Sequence, residues 1–194
     1  MKTRSSSRRR GFTLVELLVV IAIIAVLAAA GFAAGSAAIN RAKRTSCLAS
    51  ATALELAINQ FYGEYGRLPD VGETVTTDSA KGIELVTILL GKESSSDKMQ
   101  NPKSLNFLKD LKEGRGKKGG LVYQTGANTL VGLFDPWGNG YEVSLDVEYD
   151  EEMTDPTSSG TILRGRRVLV WTKGQNKTMD TPGAGTTPDD IKTW

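Results

Sequence analysis

The nineteen residues from Leu17 to Gly35 contain no polar side chain. As an α-helix they measure about 28 Å at ~1.5 Å per residue, close to the ~30 Å hydrocarbon core of a bilayer. The segment before them, Met1 to Gly11, reads MKTRSSSRRRG. It carries Lys2, Arg4, Arg8, Arg9 and Arg10 and no acid. The positive-inside rule keeps such a leader in the cytoplasm and sends the C-terminal body across. Asn40, Arg41, Lys43 and Arg44 mark the far exit, where three positive charges are outweighed by the leader's five. An ordinary secretory signal is the competing reading, with Ala28-Ala29-Ala30 as its small-residue cleavage site. The apolar run is too long for that, and Glu16 lies inside its beginning. A carboxylate costs about 2.5–3.5 kcal/mol at the centre of an inserted helix and less near its end. A plain signal gains nothing from that cost, so Glu16 reads as functional.

The helical pattern continues beyond the apolar run. Cys47, Ala51, Leu54, Ile58, Phe61 and Tyr65 recur at spacings of four and three, which is one apolar stripe of an amphipathic helix. Gly66 and Pro69 end it, so one helix is expected from Thr13 to Tyr65. Gly31 and Gly35 permit either close helix approach or local unwinding. Residues 67–79 read as loop, 80–91 as a short helix, and Ser104 to Leu111 as a further helical turn or two. Leu121–Thr125, Asn128–Phe134, Tyr141–Leu145 and Leu163–Thr172 read as strands. Strands that come late and close together predict a small antiparallel sheet laid on the long helix, an α+β fold with a long C-terminal loop. The expected organisation is a leader over 1–11, a transmembrane and assembly segment over 12–39, and an exported domain over 40–194.

Composition removes several functions. The chain has no histidine, which excludes histidine-based triads and the zinc-protease motif. Its lone cysteine, Cys47, allows no internal disulfide and has no histidine base to activate it. Five of the 24 basic residues lie in the leader, so the remainder carries 19 basic against 22 acidic side chains and offers nucleic acid no general attraction. Gly114-Arg115-Gly116-Lys117-Lys118-Gly119 matches GxGxxG but has a helical piece before it and a strand after, the reverse of a dinucleotide site. The acidic run Asp146, Glu148, Asp150, Glu151, Glu152 and Asp155 reads as a solvated loop. Asn176-Lys177-Thr178 fits a glycosylation acceptor only weakly.

Two local patterns in the body carry chemistry. In Asp135-Pro136-Trp137-Gly138-Asn139, Pro136 presets a turn, Asp135 can accept main-chain N–H groups and Gly138 suits the fourth position, with Trp137 packing back on the core. The loop from Lys173 to Trp194 is rich in Gly, Thr and Pro, yet ends on Ile191 and Trp194, which look like anchors. Asp189 and Asp190 offer hard oxygen ligands, and Asp180 or Asn176 a third, a set suited to Ca²⁺ together with main-chain carbonyls.

The stretch RRRGFTLVELLVVIAIIAVLAA resembles the N-terminal motif of type IV prepilins and type II secretion pseudopilins over about residues 8–30. The resemblance implies cleavage between Gly11 and Phe12 by a prepilin peptidase, N-methylation of Phe12, and a role for Glu16 as the assembly carboxylate. It implies a single-pass protein of the bacterial inner membrane with a periplasmic body. Such a protein polymerises through its helix into a homopolymer, alongside other pseudopilins and the inner-membrane assembly platform. The DPWGN turn, and the absence of the C-terminal cysteine pair common in pilins, resemble the major pseudopilin; a type IV pilin or minor pilin for adhesion, motility or DNA uptake is the alternative. That family is structural rather than enzymatic and binds calcium through a carboxylate in a G-x-D-G turn and a D-D-I pair. Asp189-Asp190-Ile191 matches the pair, but Asn176 stands where the family has Asp, so Asp180 is a possible substitute. The family's main-chain ligands would fall near Lys173 and Thr178.

Overall fold

The computed structural model describes residues 12–94, 98–158, 160–180 and 188–194, with the backbone only for residues 30, 33 and 34. The chain forms two compact units, Met1–Ala42 and Lys43–Trp194. Helix α1 spans Leu14–Tyr65 and enters both. It stays helical through Gly31 and Gly35, where an added Cβ would meet nothing within 4 Å.

In the first unit, every large apolar side chain from Phe12 to Ile39 is exposed on the single chain. Among the described residues, no helix is long and apolar enough to cross a membrane. The apolar run read from the sequence takes in residues 30, 33 and 34, whose side chains lie outside that description.

The second unit holds the core. Cys47, Ala51, Leu54, Ile58 and Phe61 are fully buried, and Tyr65 packs beside them, so the stripe of the sequence is the face that α1 turns to the domain. A four-stranded antiparallel sheet lies on it. Its strands are β1 (Thr74–Thr76), β4 (Glu142–Leu145), β7 (Val168–Thr172) and β8 (Ile191–Lys192), in the order β1-β4-β7-β8. Helix α2 (Ala80–Leu89) starts at Ser79, whose hydroxyl accepts the Gly82 N–H at 3.1 Å. Strands β2 (Gly120–Tyr123) and β3 (Leu130–Phe134) form one hairpin, β5 (Glu152–Thr154) and β6 (Ile162–Arg164) another. Val143, Leu145, Val168 and Val170 join the core under α1. Successive strand residues face opposite ways, so Leu169 and Trp171 point to the other side, where Met153, Leu163 and Trp194 cover them. This two-sided cover explains why β7 is an unbroken apolar run with every residue buried.

The α+β layout expected from the sequence is present, with local differences. Residues 104–111 form no helix. The side chain of Asn101 accepts the Leu105 N–H and donates to the carbonyls of Ile88 and Leu105, and Ser104 takes φ +49. Main-chain groups that a helical turn would use are committed elsewhere. Residues 67–79 are not all loop: β1 joins the sheet edge through Thr74 and Thr76, which bond Ser144 and Glu142 at 2.9 Å. The expected strand Leu163–Thr172 is two, separated at Gly165, which sits at φ +72. The acidic run is not simply solvated, since Glu152–Thr154 is β5. Glu152 meets Arg164 at 3.1 Å and Glu151 pairs with Arg167.

Candidate assembly and cation sites

Gly11 lies outside the described residues. Phe12 is the first residue described and is 78% exposed. At the next position, Thr13 opens α1. Its N–H and hydroxyl both donate to Glu16 Oε2 at 2.8 Å, and its hydroxyl oxygen accepts the Glu16 N–H at 3.2 Å. This is a capping box, which satisfies main-chain donors that the first helical turn leaves open. Glu16 therefore has a local partner in the single chain, a role the sequence reading did not give it. The signal was present as Thr13-Leu14-Val15-Glu16, a threonine followed at three residues by glutamate.

The second candidate site is in the C-terminal loop. Asp180, Asp189 and Asp190 each bring an oxygen within 4.8 Å of the others. Two main-chain segments hold them together. The N–H groups of Asp189 and Asp190 both donate to Asp180 Oδ2, at 2.5 and 3.0 Å, and the Asp180 N–H donates to Asp190 Oδ2 at 2.9 Å. The Asn176 N–H donates to Asp189 Oδ2 at 2.9 Å. Asp189 Oδ1 and Asp190 Oδ1 are buried and have no hydrogen-bond partner. Burial raises the Asp190 carboxyl above the ordinary range, and the neighbouring charges of Asp180 and Asp189 add to it. Three carboxylates with two unpartnered buried oxygens fit a divalent cation, which would supply the missing partner and offset their repulsion.

Two of the other residues expected at the site have side-chain partners of their own. The Asn176 amide carbonyl accepts the Thr178 N–H at 2.7 Å, and its amide nitrogen donates to Asp180 Oδ1 at 3.2 Å. Asn176 thus presents a donor to the cluster, and Asp180 is the third carboxylate. The Lys173 ammonium pairs with Glu142 at 3.1 Å. In the acidic run, Asp146 spends its oxygens on the N–H groups of Asp150 and Glu151 at 3.3 and 2.9 Å.

The Asp135 turn lies beside this loop. Asp135 is fully buried. Its Oδ1 accepts the N–H groups of Trp137, Gly138 and Asn139 at 2.8, 2.7 and 2.9 Å, as the turn chemistry predicts. Its Oδ2 accepts the Thr172 hydroxyl and the Asn139 amide, both at 2.7 Å. Trp137 packs against the core. Sequence reading found the turn but not the tie from Asn139 to the loop, since the partner, Gly174 O at 2.7 Å, is 35 residues away.

Cys47 is buried against Tyr141, whose hydroxyl lies 3.5 Å from its sulfur. Burial pushes the thiol up to about 12, so it stays protonated at neutral pH.

Residues 6–32 match the family model of the prokaryotic N-terminal methylation motif. No curated protein and no solved structure gives a significant match to the chain. The motif is the signature of type IV pilins and pseudopilins. It implies processing by a prepilin peptidase, membrane anchoring and polymerisation into a pilus-type fibre.

Proposed function

We propose that the chain is the major-pseudopilin-like subunit of a type II secretion filament, processed between Gly11 and Phe12 and held in the inner membrane by the segment 12–39 until it polymerises. The observation that carries this reading beyond the motif is the C-terminal loop. A buried Asp135 turn is tied to a loop that gathers Asp180, Asp189 and Asp190 around two unpartnered oxygens. The exposed apolar side chains from Phe12 to Ile39 need lipid or neighbouring subunits as cover, which an anchor that becomes the filament core supplies in turn. Deletion of the gene is the test of the role. Loss of secreted enzymes with surface fibres intact is the expected result; loss of surface fibres with secretion intact would assign the chain to a type IV pilus.

The cation in this reading is Ca²⁺, held by Asp180, Asp189 and Asp190 on the outer side of the membrane. A hard dication satisfies carboxylate oxygens that no protein donor reaches. At 100 times its dissociation constant it would stabilise the fold by about 2.7 kcal/mol. For a chain of this size that is roughly 5–10 °C in melting temperature. The mature full-length chain in detergent is expected to melt that much higher in calcium than in chelator. Asp189→Ala/Asp190→Ala is expected to show no difference. Superimposable wild-type melts, with no metal by elemental analysis, would remove the cation from the proposal and leave a packed, metal-free loop.

A further inference from the structure

We infer that Asn139, clamped by Asp135, is a positioning residue for the Asp180–Asp189–Asp190 site; this rests on the cation reading above.

The C-terminal loop leaves β7 at Thr172 and reverses at Gly174, which takes φ +63. A Cβ at Gly174 would lie 2.3 Å from the carbonyl oxygen of Asp189. The two main chains therefore touch here, and the placement of Gly174 sets the placement of Asp189. Glycine is required twice over, by the left-handed backbone and by the close approach. What holds Gly174 from the other side is Asn139, whose amide nitrogen donates to the Gly174 carbonyl at 2.7 Å.

Asn139 has little freedom of its own. The same amide nitrogen donates to Asp135 Oδ2 at 2.7 Å, which uses both of its protons. Its main-chain N–H goes to Asp135 Oδ1 at 2.9 Å, and its carbonyl accepts the Asp135 N–H at 2.8 Å. Asp135 keeps its place through the N–H groups of Trp137, Gly138 and Asn139 on Oδ1, and the Thr172 hydroxyl adds one bond to Oδ2 outside this path. The path to the carboxylates thus runs from Asp135 through Asn139 and Gly174 to Asp189, with hydrogen bonds for its first two links and van der Waals contact for the last. Groups that orient metal ligands without touching the metal commonly contribute 10–100-fold to affinity. Without Asn139, cation binding must itself order the Gly174 turn, and affinity falls by that cost.

The test is calcium titration by calorimetry on the mature full-length chain in detergent, with melting in chelator as the measure of the apo fold. Asn139→Ala is expected to raise the dissociation constant about 10–100-fold. Thr172→Val removes one hydrogen bond from the same Asp135 carboxylate and leaves Gly174 untouched. It is expected to lower the apo melting temperature about as much while binding calcium within about threefold of wild type, a ratio worth no more than ~0.65 kcal/mol. Asn139→Asp covers the case in which alanine does not fold. It keeps the size of the side chain and adds a negative charge, which by electrostatics alone would tighten cation binding. Its carboxylate has no proton for Gly174, so the inference expects weaker binding. Wild-type affinity in the foldable variant, tighter binding by Asn139→Asp, or an equal loss in Thr172→Val would each overturn the positioning role. A wild-type chain that takes up no calcium overturns it too, but by removing the cation reading before any variant is compared.

Discussion

Glu16→Ala is expected to give a chain that is inserted and cleaved and yet forms no filament. Cleavage after Gly11 would create a new cation at the Phe12 amine, four residues before Glu16. In a growing fibre the Glu16 carboxylate of one subunit can neutralise the Phe12 amine of its neighbour. At ~4 Å and an effective dielectric near 20 the attraction is about 4 kcal/mol before desolvation is subtracted. Repeated head-to-tail pairing of this kind builds an open helix, not a closed ring. The capping box requires a second variant, because Glu16→Ala also removes the acceptor of the Thr13 N–H and hydroxyl at the start of the helix. Glu16→Gln separates the two effects. Glutamine serves a capping box as glutamate does but carries no charge. Filament yield by shearing and sedimentation should be near zero for both. Normal yield from the glutamine variant would assign Glu16 to the helix cap alone.

The second large effect is at the leader. Gly11→Val should retain all five basic residues of residues 1–11 and block assembly completely. Residue 11 must enter the peptidase as closely as a chain can approach, and a residue without Cβ leaves that room. Intact-mass analysis of the membrane form gives the answer directly. The wild type should begin at N-methyl-Phe12 and the variant at its original start. A wild-type mature chain beginning elsewhere would refute the processing site.

How far the sequence could be read depended on the range of each interaction. The stripe from Cys47 to Tyr65 was legible because one helix face meets one core, and periodicity records that directly. The Asp135 turn was legible because its carboxylate bonds groups two to four residues away. The grouping of Asp180 with Asp189 and Asp190 was within reach because the three lie within eleven residues of one another in the sequence. By contrast, β1 and β8 have three and two residues, too few for alternation to show, and they exist because β4 and β7 offer open edges. Asn101 carries no periodic signal in the sequence, yet it decides the conformation of the segment after it. At Asn176 the residue type suggested an oxygen ligand, and the bond its amide oxygen accepts from the Thr178 N–H was not foreseen.

The short pairing of Ile191 and Lys192 with β7 has a consequence for the strand it covers. Thr193 extends the pairing, donating its N–H to Val170 O at 3.2 Å, so the edge of β7 is occupied from Val170 to Thr172. An open edge on a strand as apolar as β7 is a template for another molecule's strand, the first step toward cross-β aggregation. Residues 191–193 fill this edge from within the chain, so β7 does not offer it to a neighbour.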